Sequence, residues 1–120
     1  MHREKCQCCG YPTLKKRLYD EICMLCDWED GSFSKYTPEK IDGGPNGDYS
    51  LKEARRNFEA HLTMYRKKPK SLNSTLLEKK RMLIKAYSSL SSEENNEEPE
   101  SAKWERILKL EQSLLLEGWE

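Results

Sequence analysis

Apolar residues recur at steps of three and four along three stretches of this chain, all of them after residue 49. Leu51, Ala54, Phe58, Leu62 and Tyr65 form one stripe, which predicts a helix over 50–67. Ser50-Leu51-Lys52-Glu53 fits a capping box, with the hydroxyl and the carboxylate each satisfying an end amide, and Pro69 supplies a stop. A second helix is expected over 74–88, burying Leu76, Leu77, Leu83, Ile84 and Tyr87, with Leu90 just beyond it. A third is expected over 99–117, opening at Pro99 and carrying Trp104, Ile107, Leu108, Leu114 and Leu115 on one face. Glu105 and Lys109 make a favourable i,i+4 pair on it, and Gly118 is a plausible stop. The polar, low-complexity stretch near 89–98 reads as a mobile linker.

The first 49 residues carry no such period. A short strand is expected around Leu18–Ile22, after the Gly and Pro of "GYPT". Residues 31–49 are rich in Gly, Pro, Asn and Asp and read as a long loop, held to the module by Phe33, Tyr36 and Ile41. The chain shows no internal sequence repeat.

Composition sharpens the problem of the first half. Charged residues make up 35% of 120, and only 36% are hydrophobic, so the core is thin and needs reinforcement. Formal net charge is zero, which supplies no global field toward nucleic acid or anionic lipid. The charge is nevertheless segregated: residues 66–85 sum to +7 and residues 86–120 to −6. Such blocks pack side by side as solvated helix faces or present patches to a charged partner. No apolar run is long enough for a membrane span, and the start "MHREKCQCC" lacks a signal-peptide core, so a cytoplasmic location is expected.

The five cysteines offer the missing reinforcement. Cys6 and Cys9 form one C-x-x-C turn, Cys23 and Cys26 a second, and 13 residues separate the two. Two such turns can aim four sulfurs at one tetrahedral metal, so Cys6, Cys9, Cys23 and Cys26 are the candidate ligands of one structural Zn2+. Iron in a rubredoxin-like arrangement is the alternative metal. A redox dithiol normally sits alone at a helix N-terminus beside a βαβ pattern, which is absent from this sequence. Cys8 is the odd thiol: its side chain points away from those of its neighbours, and it is expected to pack or to donate S–H to the cluster sulfurs from outside. A reactive Cys8 is the sharper alternative. The fold expected is therefore a small α+β protein, an N-terminal zinc-ribbon-like module with its long loop over 1–49 followed by about three α-helices over 50–120.

In order, "CQCCGYPTL", "YDEICMLCDWED" and "GGPNGDYSLKEARRNF" resemble the cysteine-rich CPCC family of small bacterial proteins over residues 6–58. Gln7 stands where that family has Pro, and Met24 where it often has one. The resemblance implies the same four metal cysteines with Cys8 as the family's extra one. It also puts Trp28, Glu29, Asp30, Asn46, Glu53, Arg55 and Asn57 on recurring positions. Two readings of these stand open: Glu53, Arg55 and Asn57 tie the helix to the Gly-Gly loop, or Trp28, Glu29, Asp30, Arg55 and Asn57 form a partner surface.

Four thiolates leave a metal no open position, and no nucleophile-base constellation is present, so catalysis is not expected. His61 reads as a helix-boundary residue, and "GGPNG" lacks the Lys-Ser/Thr of a phosphate loop. Resemblance implies candidates for immunity or accessory roles beside bacterial toxins, hence a protein partner such as a toxin nuclease domain. Nucleic-acid binding through the ribbon and the basic 66–85 segment is the alternative.

Overall fold

The structure, a computed structural model, describes residues 1–31, 36–41, 44–91 and 97–117. Its elements in order are strands β1 (Glu21–Ile22) and β2 (Glu29–Asp30) and helices α1 (Leu51–His61), α2 (Ser74–Ser88) and α3 (Glu100–Glu117). The chain divides into two compact units, His2–Pro69 and Lys70–Glu120, the latter together with Met1. Helix α1 therefore groups with the cysteine-bearing segment, whereas the sequence pattern had divided the chain at residue 49. No described helix is long and apolar enough to cross a membrane.

In the first unit, β1 and β2 pair antiparallel with Glu21 opposite Asp30 and Ile22 opposite Glu29. A further bridge joins Glu4 to Leu14. The strand expected around Leu18–Ile22 is only its last two residues, because Leu18 and Asp20 have φ of 65° and 60°. That left-handed turn brings the Leu18 amide to the Asp30 carboxylate at 2.7 Å, which ladder geometry would not. Leu14, Leu25, Trp28, Leu51, Ala54, Phe58 and Met64 form the apolar core, and Tyr11 meets Phe58 edge-on at 6.3 Å. Of the three side chains expected to hold the loop, Tyr36 is 71% and Ile41 54% exposed, and Phe33 lies outside the described residues. The loop is held instead by Asn46, as described below.

Helix α1 starts where its pattern predicts, with the Ser50 hydroxyl accepting from the Glu53 amide at 3.1 Å. It ends at His61 rather than reaching residue 67, because Leu62 turns left-handed at φ 64°. Its stripe is therefore cut to Leu51, Ala54 and Phe58. The Glu53 carboxylate clamps Arg66, Oε2 to Nε at 2.5 Å and Oε1 to Nη2 at 2.8 Å. Arg66 also donates to Asp48 and lies 4.2 Å over the Tyr49 ring, so this exposed arginine pins the chain after the helix to the segment before it.

In the second unit, α2 occupies the expected 74–88, capped by the Asn73 side chain accepting from the Leu76 amide. Helix α3 begins at Glu100, with the Pro99 carbonyl accepting from the Ala102 amide at 3.0 Å. The hydrogen bonds Lys79–Ser113, Tyr87–Glu111 and Lys103–Ser89 pair rising with falling residue numbers, so the helices run antiparallel. Their interface contains Leu83, Ala86, Tyr87, Trp104, Ile107 and Leu114, but also Lys80, Lys103 and Glu111. Leu108 and Leu115, expected on that face, are exposed. The buried stripe is turned slightly around the helix, and its polar members have partners: Glu111 accepts from Tyr87 and Lys103 donates to the Ser89 carbonyl at 2.9 Å. A cation at that carbonyl also suits the negative end of α2. Glu105 and Lys109 form the expected i,i+4 pair at 3.6 Å. The centre of the expected linker, residues 92–96, and the expected stop Gly118 lie outside the described residues.

Candidate metal centre

The two C-x-x-C turns have the same backbone pattern. In the first, the Gly10 amide donates to the Cys6 carbonyl at 2.9 Å and the Cys6 amide to the Tyr11 carbonyl at 3.0 Å. In the second, the Asp27 amide donates to the Cys23 carbonyl and the Cys23 amide to the Trp28 carbonyl, both at 2.9 Å. The residue after each second cysteine is left-handed, Gly10 at φ 81° and Asp27 at φ 74°. Glycine takes that conformation without strain, and aspartate is among the few other residues that tolerate it. The units Cys-x-x-Cys-Gly-Tyr and Cys-x-x-Cys-Asp-Trp are thus a short internal repeat. This repeat, in a chain where none was expected, is carried by the αL-tolerant residue and the aromatic that follow each second cysteine.

The turns interlock. The Cys6 sulfur lies 3.6 Å from that of Cys26, and the Cys9 sulfur 3.7 Å from that of Cys23. All four sulfurs fall within 4.8 Å of one another, a group able to hold a metal ion. All five cysteines are free thiols. The donor set can be tested against a metal directly: a tetrahedron of sulfurs with metal–sulfur bonds of about 2.3 Å has edges of about 3.8 Å. The two sulfur–sulfur separations of 3.6 and 3.7 Å match those edges, so the residues present fit a tetrahedral ion.

The sulfurs also answer for each other electrostatically. Hydrogen bonds to Cys23 and Cys26 push the Cys6 and Cys9 thiols well above the ordinary range. Burial does the same to Cys26. Burial also opposes ionisation of Cys23, but hydrogen bonds from Cys26, Cys6, Cys9 and Thr13 overcome it and hold Cys23 below that range. The four sulfurs thus titrate as one interacting set, with three of them pushed up and Cys23 pulled down. Thr13, which sequence reasoning missed, stands 3.0 Å from the Cys23 sulfur through its buried hydroxyl. Cys8 is buried, lies outside the cluster of four, and acts on Cys26.

Residues expected as a partner surface mostly brace the turns instead. Trp28 and Asp30 are 1% and 0% exposed, which removes both from any surface. The Asp30 carboxylate accepts from Gln7 Nε2 and Arg17 Nε, both at 2.9 Å, and from the Leu18 amide. Gln7, where the resembled family has proline, thereby links the first turn to β2. Arg55 Nε donates to the Gln7 carbonyl at 2.9 Å, so α1 holds the first turn. Asn57 donates to the Met64 carbonyl at 2.8 Å and to Glu53, holding the chain after α1. Tying by Glu53, Arg55 and Asn57 is therefore directed to the first turn and to residues 64–66. The loop is tied by Asn46, whose amide bonds both the amide and the carbonyl of Glu29 at 2.9 Å.

The family model for cysteine-rich CPCC proteins matches residues 4–78, running past the motifs into α2. No curated protein and no solved structure matches the chain.

Proposed function

The chain belongs to the cysteine-rich CPCC family, and from that premise we propose that it is a zinc-binding, non-catalytic module that works by binding another protein. The observation that carries this reading is the closed set of four mutually adjacent sulfurs from Cys6, Cys9, Cys23 and Cys26. Four thiolates fill a tetrahedral ion and leave no position for water or substrate, which suits a structural role. Zinc is the ion of choice because it favours tetrahedral thiolate sites and brings no redox chemistry. When bound it joins the two turns, while Thr13 contacts the Cys23 sulfur and Asp30, Arg55 and Asn57 hold the surrounding backbone.

The specific role proposed is that of an immunity or accessory protein neutralising a bacterial toxin that acts in the cytosol. Segregated charge on a small module supports fast, selective encounter with an oppositely charged partner. The nucleic-acid alternative draws less support from the basic 66–85 segment, because Arg66 and Lys79 are engaged within their units and Lys80 is buried. Co-expression with bacterial toxin nuclease domains that arrest growth from the cytosol is the test. Restored growth, with a complex of the two proteins on gel filtration, is expected. Growth arrest unchanged by this chain, without a complex, would overturn the immunity role and leave the metal site standing.

A further inference from the structure

Beside the first turn lies a pocket of about 330 Å³, lined by residues 6–10, buried Cys8 among them, and by Lys5, Arg17 and Arg55. That size is at the small end of ligand pockets, which run to roughly 300–1,000 Å³. Three cationic side chains line it and no carboxylate does. Both arginines are anchored through Nε, Arg17 on the Asp30 carboxylate and Arg55 on the Gln7 carbonyl, each at 2.9 Å. Neither anchor uses the Nη groups, so each guanidinium is already fixed while its outer edge has no partner among the described residues. Asp30 balances Arg17, whereas Lys5 and Arg55 face no carboxylate among the described residues. The floor is open as well: a Cβ on Gly10 would meet no atom within 4 Å.

We propose that this pocket is an anion site for a phosphate-class group, gripped by the Nη edges of Arg17 and Arg55 and by Lys5. Planar guanidinium forks match tetrahedral oxyanions in pairs of hydrogen bonds, and Lys adds a point charge. Anchoring both arginines beforehand removes much of the ordering cost that weakens such contacts elsewhere. The group arrives on a small phosphate ester or at a phosphorylated nucleic-acid end, which share this chemistry. A competing account is that the cations merely offset the charge of four thiolates around a metal. It predicts a loss of metal retention on removing a cation and no anion binding. The inference does not depend on the immunity role.

The test is NMR titration of the full chain, with the metal it carries, against inorganic phosphate at constant ionic strength. A second arm compares a nucleoside monophosphate with a short oligonucleotide bearing or lacking a 5′-phosphate. Saturable shifts confined to residues 5–10, 17 and 55 are expected. Lys5→Gln, which removes no hydrogen bond seen among the described residues, should weaken phosphate about tenfold with metal content unchanged, and Arg55→Gln, which also releases the Gln7 carbonyl, should weaken phosphate at least as much. Preference for the monophosphate, or for the phosphorylated oligonucleotide, identifies the source of the group, and both support the site. No saturable shift, or phosphate bound by either variant as tightly as by the unsubstituted chain, would overturn it. Metal loss in Lys5→Gln without phosphate binding would establish the screening account instead.

Discussion

The Met64 amide donates to the Cys26 carbonyl at 2.8 Å. Beside it the Thr63 hydroxyl donates to the Asp27 carboxylate, also at 2.8 Å. Both bonds exist because Leu62 turns left-handed and sends the chain back along the second cysteine turn. A non-glycine residue pays roughly 1–2 kcal/mol for that conformation. Leu62→Gly removes this strain but also part of a half-buried side chain and some unfolded-state order, so a net change within about 1 kcal/mol of zero is expected. Leu62→Val, which fits αL poorly, should lose about 2 kcal/mol. Urea denaturation gives the ordering directly; Val as stable as Leu would contradict the strained hinge.

Asn46 replaces a strand neighbour for Glu29, offering one acceptor and one donor to the backbone of that residue. Asn46→Ala removes both bonds, and at about 1 kcal/mol each the loss should be about 2 kcal/mol. Amide exchange should quicken at Glu29. Protection of that amide unchanged in the variant would show that the loop is held by something else.

The cysteines should divide four to one. Cys23→Ser removes a member of the cluster. A structural zinc supplies on the order of 10–16 kcal/mol in small peptides, as much as a typical domain's whole stability. The first unit should therefore lose its fold, seen as collapse of near-ultraviolet circular dichroism from Trp28. Cys8→Ser should keep the same metal content and differ by about 1 kcal/mol or less. Equal metal loss in both variants would place Cys8 among the ligands.

Acid should expel the metal. Cys6, Cys9 and Cys26 are held above the ordinary thiol range in the metal-free cluster, so they take protons readily once the ion leaves. The metal-bound form carries fewer protons than the metal-free form, so metal-derived stability is present at neutral pH and lost as pH falls. Metal release followed with a chromophoric chelator should steepen below neutrality with more than one proton taken up per ion. A release curve flat with pH would be incompatible with a thiolate site.

Local signals in the sequence were sufficient where local physics decides. The C-x-x-C spacing, the Ser50 cap and the bounds of α2 and α3 all follow from neighbours within a turn. Failures occurred where distant partners decide. Helix α1 stops early because Thr63 and Met64 are claimed by Asp27 and Cys26, over thirty positions back in the chain. The face of α3 is turned because Tyr87 and the Ser89 carbonyl, both contributed by the α2 side, accommodate Glu111 and Lys103. Asp30 looked like an exposed acid in "WED" and is the buried hub of three donors drawn from residues 7, 17 and 18. Periodicity carries no trace of such pairings. The matched Gly10 and Asp27 positions, by contrast, are legible in the sequence as αL-tolerant residues after each second cysteine.

The central claim is one zinc held by Cys6, Cys9, Cys23 and Cys26. Native mass spectrometry of the full chain, purified under reducing conditions without added metal, tests it most directly, with elemental analysis on the same sample. The account predicts one zinc per chain, with the mass lower by the protons that the bound thiolates have given up. A folded chain carrying no metal would contradict it.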